Sequence, residues 1–170
     1  DAYLLLADIF MDNGEYADAV AVLEDALQVS DEKDVRRQLG ETAYLASQCG
    51  EREVYRNSYL GKALESYEIL NQSSHPSYED RLNLALVERA LGKYESSNAT
   101  LRDMLALYPE EYILPMWMCY NYLDLAKEGG SWQSIRDDLK FRYQDCKHIY
   151  DSGTKEDEDM EQLKDIMEHM

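Results

Sequence analysis

The chain has 170 residues, enough for a folded domain with its own core, and 45% of them are hydrophobic, which excludes wholesale disorder. Its 35 acidic and 17 basic residues leave a net charge of −18, which disfavours nucleic acid and an anionic membrane surface as partners and suits a basic peptide or protein. With 3 Pro, 8 Gly and no β-branched runs, the composition predicts an all-α chain of long elements.

Apolar residues recur at helical spacing along most of the chain. The first helix is expected over about residues 2–13, with Tyr3, Leu6, Ala7 and Phe10 as its core stripe. Asn13-Gly14 stops it, because both residues tolerate the left-handed conformation. A second helix follows over about 16–29, burying Ala19, Val20, Leu23, Ala26 and Leu27, and Ser30-Asp31 offers a cap for the next. The third, about 32–48, turns Val35, Leu39, Ala43, Tyr44 and Ala46 inward and ends at Gly50. The fourth, about 51–71, carries Val54, Tyr55, Tyr59, Leu60, Ala63, Tyr67 and Leu70.

The polar run from Asn71 to Ser77 is the clearest loop. Helices are expected over about 78–91 and 93–107, and Tyr108-Pro109 closes that pair. The next, about 111–127, tolerates Pro115 near its start, and Gly129-Gly130 turns the chain into a helix over about 132–151. Ser152-Gly153 breaks that helix. A last amphipathic helix, about 155–168, carries Met160, Leu163, Ile166 and Met167, as a helix that closes a stack against water should. The acids Glu156 to Asp159 lie at its N-terminus, where the helix dipole favours them.

One pattern is written twice. Leu4-x-Leu6-Ala7, Gly14-x-Tyr16 and Leu23-x-Asp25-x-Leu27 return 78 residues later as Leu82-x-Leu84-Ala85, Gly92-x-Tyr94 and Leu101-x-Asp103-x-Leu105. Repetition of a helical hairpin predicts a solenoid, and solenoids serve as binding surfaces. Turn glycines at 14, 50, 92 and 130 space the units by 36, 42 and 38 residues.

The pattern resembles the tetratricopeptide repeat family. Tyr3, Leu6, Ala7, Phe10, Gly14-x-Tyr16, Ala19, Leu23 and Ala26 match it in the first repeat, and Leu84, Ala85, Gly92-x-Tyr94, Leu101 and Pro109 in the third. Glu88 stands where that family has an aromatic and Ser97 where it has a small alanine. The second repeat keeps Ala43 and Gly50; the fourth keeps Gly130-x-Trp132 and Ile135. The resemblance implies a right-handed α–α superhelix of four hairpins, about 1–31, 32–72, 77–109 and 111–151, closed by a capping helix at about 155–168, in one domain over 1–170. Because Asp1 falls within a helical pattern, we expect a piece of a longer protein.

In this family the first helix of each repeat lines a concave groove for extended peptides. The positions carried over are Leu4, Asp8, Met11 and Asp12; Arg37, Tyr44, Ser47 and Gln48; Glu79, Leu82, Leu86 and Arg89; and Trp117, Tyr120, Asp124 and Lys127. Leu4 and Asp8 replace the Lys and Asn with which chaperone-binding members clamp a peptide carboxylate, so the expected partner is a protein or peptide with aromatic or basic side chains. A looser similarity, through Tyr112 to Trp117, Phe141-x-Tyr143 and Tyr150, is to the repeat region of bacterial membrane-bound serine/threonine kinases, which implies a sensory role. That reading would place the domain outside the cytoplasm; otherwise a cytoplasmic protein is the default.

Chemistry is poorly represented. Cys49, Cys119 and Cys146 are odd in number and scattered, and Cys146-x-His148 falls on different helix faces. There is no phosphate loop, nucleophile elbow or HExxH. The expectation is a non-catalytic scaffold without metal or cofactor, with homo-oligomerisation through the ends of the stack as a further reading. An enzyme or small-ligand domain would instead need a deep pocket with convergent polar groups.

Overall fold

The computed structural model describes residues 2–49, 52–154 and 156–170. Among them lie nine helices and no strand: α1 Ala2–Asp12, α2 Tyr16–Val29, α3 Lys33–Cys49, α4 Glu53–Asn71, α5 Tyr78–Ala90, α6 Tyr94–Leu107, α7 Ile113–Lys127, α8 Trp132–Asp151 and α9 Glu158–Glu168. The glycine turns work as their chemistry requires. Gly14, Gly92 and Gly129 have φ of 77°, 73° and 95°, conformations that a Cβ disfavours. Gly130 serves differently, since a Cβ there would come within 2.7 Å of the Leu125 carbonyl oxygen. Gly50 and its helix stop lie outside the described residues.

Two compact units divide the chain, residues 1–91 and 92–170. In the first, each of α1 to α4 packs on the next in sequence, and α1 also meets α3. The core runs through Ala7, Ala19, Val20, Leu23, Ala26, Val35, Leu39, Ala43, Ala46, Ala63, Tyr67, Leu70 and Val87. Small residues decide how closely the helices approach. Gly40 lies so near the Tyr67 ring that a Cβ would meet it at 2.9 Å. The loop after α4 is tied down by Asn71, whose Nδ2 donates to the carbonyls of Tyr67 at 2.8 Å and Asp80 at 3.0 Å.

Several expected core positions face solvent. Tyr3 and Leu6 are exposed, together with Leu5 and Ile9. The core-facing stripe of α1 is the buried Ala7 with the partly buried Leu4, Phe10 and Met11, packed where α1 contacts α2 and α3. Val54 and Tyr55 are also exposed, because the first turns of α4 reach past the packed core, which that helix joins from Tyr59 onward. Neither Ser30 nor Asp31 caps α3: the Ser30 hydroxyl donates to Glu32, and Asp31 pairs with Arg36.

In the second unit, α7 packs against α6, α8 and α9. Where the repeat pattern expects small residues, this unit uses buried polar ones. Asn121 donates to Ser97 Oγ and to Asn98 Oδ1, both at 2.9 Å, and all three residues are buried. Asp157 caps α9, accepting from the amides of Asp159 at 3.0 Å and Met160 at 3.2 Å. Its other carboxylate oxygen accepts from the Tyr112 hydroxyl at 2.7 Å, and its own amide donates to the Tyr150 hydroxyl at 3.0 Å. The Tyr112 and Tyr150 rings meet edge-on at 5.1 Å. Replacing Asp157 with Ala should cost about 1–2 kcal/mol, the cap being lost along with the Tyr112 bond. Hydrogen exchange should speed up over residues 158–163 while α7 and α8 stay protected; an unchanged α9 would contradict this role for Asp157.

Candidate functional site

Two cavities open on one face of the first unit. One, of about 330 Å³, is lined by Glu41, Tyr44, Leu45, Tyr67, Asn83, Leu86 and Val87. The other, of about 300 Å³, is lined by Asp8, Met11, Asp34, Arg37, Gln38 and Glu41. Glu41 belongs to both, so α1, α3 and α5 present one surface with an acidic half and an apolar half. Helical spacing produces it: Arg37, Glu41 and Tyr44 lie on one stripe of α3, four and three residues apart.

Among the described residues Arg37 is the one cation lining either cavity, and it is paired with two carboxylates. Its Nε donates to Asp80 Oδ1 at 2.8 Å and its Nη2 to Asp80 Oδ2 at 3.0 Å, a two-pronged pair. Its Nη1 donates to Asp34 at 3.0 Å. The Asp80 side chain is only 4% exposed, against 34% for Arg37. Hydrogen bonding from Arg37 holds the Asp80 carboxyl below the usual carboxylate range, opposed by burial and aided by the Ser77 hydroxyl.

Glu41 has no hydrogen bond or ion pair among the described residues. Desolvation raises its carboxyl above the ordinary range, opposed by the charge of Arg37. On the apolar side, Asn83 Nδ2 donates to the Tyr67 hydroxyl at 3.2 Å. Burial, aided by the charge of Glu41, pushes the Tyr67 phenol up, which keeps it neutral.

The positions carried over from the family pattern have different environments. Tyr44 and Leu86 line the apolar cavity; Asp8, Met11 and Arg37 line the acidic one. Asp8 accepts a hydrogen bond from Gln38, and Met11 Sδ accepts from Thr42 Oγ1 at 3.1 Å. Leu4 packs on the core, and Ser47 is buried with its hydroxyl on the Tyr44 carbonyl, so its small polar side chain is turned inward. Asp12, Gln48 and Glu79 are exposed and line neither cavity, as is true of the half-buried Leu82 and Arg89.

In the second unit, the Trp117 and Tyr120 rings lie 5.5 Å apart, the Tyr120 hydroxyl donates to the Asp159 carbonyl at 2.6 Å, and Lys127 pairs with Asp124 at 2.9 Å. The sequence marks Tyr67 as a core residue and does not single out Glu41, Asn83 or Asp80 at this face. Helical spacing puts Glu41 within reach, whereas the Arg37–Asp80 pair bridges 43 residues and has no local signal. Among the described residues no group of His, Cys, Asp and Glu could hold a metal ion, and no helix is long and apolar enough to cross a membrane.

The family profile of the tetratricopeptide repeat matches residues 1–29, so the first hairpin is such a repeat in sequence as well as in form. No curated protein matches the chain. A solved structure, MamA MSR-1 C2, aligns with a TM-score of 0.63 over 89% of this chain and 77% of its own, at 15% identity. That likeness is one of fold.

Replacing Asp80 with Asn should destabilise the first unit by about 2 kcal/mol, since the pair is broken but Arg37 keeps some access to water. Because the native state depresses this carboxyl, its contribution is complete above the unfolded carboxylate pKa of about 4 and fades as pH falls through the lower native value. Chemical denaturation should therefore show a gap between wild type and variant that is constant near neutrality and shrinks below about pH 4.

Proposed function

We propose that this tetratricopeptide-repeat chain is a non-catalytic scaffold whose first unit binds an extended peptide of mixed basic and apolar character. The observation that supports it most is the shared face of α1, α3 and α5. There, carboxylates of Asp8, Asp34 and Glu41 adjoin an apolar cavity, and Arg37, the sole lining cation among the described residues, is neutralised by Asp80 and Asp34. Extended chains fit such a face because alternate side chains can enter successive cavities while the backbone runs across the helices. Net charge of −18 adds long-range attraction for a cationic partner. A peptide C-terminal carboxylate is a poor ligand here, since Leu4 packs on the core and Asp8 is itself anionic.

A set of capped synthetic peptides of equal length tests this by fluorescence anisotropy. Peptides alternating Lys or Arg with Leu or Phe should bind; those with Glu in place of the basic residues should not. Affinity should fall as ionic strength rises, because rim charges are screened. Replacing Leu86 with Asp, which puts a charge on the apolar wall of a half-exposed position, should weaken binding at least tenfold without unfolding the chain. Equal binding of acidic and basic peptides, or full affinity in the Leu86 variant, would remove this reading.

A further inference from the structure

The apolar cavity is shaped and charged for a particular side chain. At about 330 Å³ it lies at the lower limit of ligand-sized pockets, which suits one long side chain better than a separate small molecule. Its walls are Tyr44, Leu45, Leu86 and Val87, and Glu41 stands where this cavity joins the acidic one. Polar acceptors also line it. The Tyr67 oxygen receives one hydrogen bond from Asn83 Nδ2 and keeps capacity for another; the Asn83 carbonyl oxygen has no bond among the described residues. With the Glu41 carboxylate, that makes three separate acceptors beside an apolar wall.

We infer that this cavity takes one lysine side chain of the bound peptide, with the tetramethylene stem against Tyr44, Leu86 and Val87 and the ammonium on the Glu41 carboxylate. The inference rests on reading this face as a peptide groove. An ammonium has three donors, matching the acceptors of Glu41, Asn83 and Tyr67. A guanidinium has five donors in a rigid plane and would leave some unpaired. A purely apolar side chain would fill the walls but leave Glu41 desolvated without a partner, which costs free energy. Arg37 cannot swing in to satisfy Glu41 without abandoning buried Asp80.

The experiment compares capped nonapeptides in an alanine–serine background that differ only at the central residue: lysine, norleucine, acetyl-lysine, arginine or glutamate. Norleucine keeps the stem and deletes the ammonium. On the wild-type chain, the lysine peptide should bind about tenfold or more tighter than the norleucine, acetyl-lysine and arginine peptides. Glu41→Gln, at an exposed position that preserves the fold by circular dichroism, should abolish that preference while norleucine binding persists. Equal affinity for lysine and norleucine, or a lysine preference that survives Glu41→Gln, overturns the lysine pocket and leaves the groove standing. Arginine binding as tightly as lysine overturns the choice of ammonium. If no nonapeptide in the set and no peptide of the basic–apolar series binds the wild-type chain, the groove itself is refuted and this inference with it.

Discussion

Asp80 is a carboxylate buried on the first turn of α5, and the shape of the face we propose for binding depends on how that burial is made tolerable. An ionised group loses several kcal/mol on leaving water unless it is paired and hydrogen-bonded. Arg37 supplies both prongs of the pairing from α3, and the Ser77 cap fixes the turn that carries Asp80. The pair therefore joins two helices that do not follow one another in the chain. It also holds Arg37 on Asp80, and so leaves Glu41 without a hydrogen bond or ion pair among the described residues at the junction of the two cavities.

Packing supplies the complementary constraint. Gly40 lets the Tyr67 ring approach α3, and that approach brings the Tyr67 hydroxyl and Asn83 to the wall of the cavity. A glycine inside a helix has a propensity cost of about 1 kcal/mol relative to alanine. Here the cost is offset by a contact that no larger residue would permit. The site is thus a by-product of close helix packing, with its polar edge set by one ion pair.

Much of this was legible in the sequence. Helical periodicity placed the nine helices of the described residues within a few residues of their bounds, and Gly14, Gly92 and Gly129-Gly130 marked turns whose geometry requires them. Inward faces were harder. Apolar residues of α1 wrap around more than one side, so periodicity alone could not separate the core-facing Leu4–Ala7–Met11 stripe from exposed Tyr3 and Leu6. The proposed face was half visible: family spacing picked out Arg37, Tyr44 and Leu86, but could not tell that Arg37 pairs with Asp80. Long-range polar pairs, including Asn121 with Ser97 and Tyr112 with Asp157, leave no periodic trace because each partner looks like an ordinary surface residue where it stands.

In the first unit nearly every packing contact joins neighbours in the chain, which has a kinetic meaning. Such a chain pays little loop-closure entropy, so folding can begin at any hairpin and spread to the next. The Arg37–Asp80 bridge is one of the few that skip a helix, closing a loop of 43 residues over the whole of α4. It can form only after α3, α4 and α5 are assembled in register. The same bond that holds a cation on the finished surface thus needs three helices in place, and the face it shapes rests on the fold beneath it.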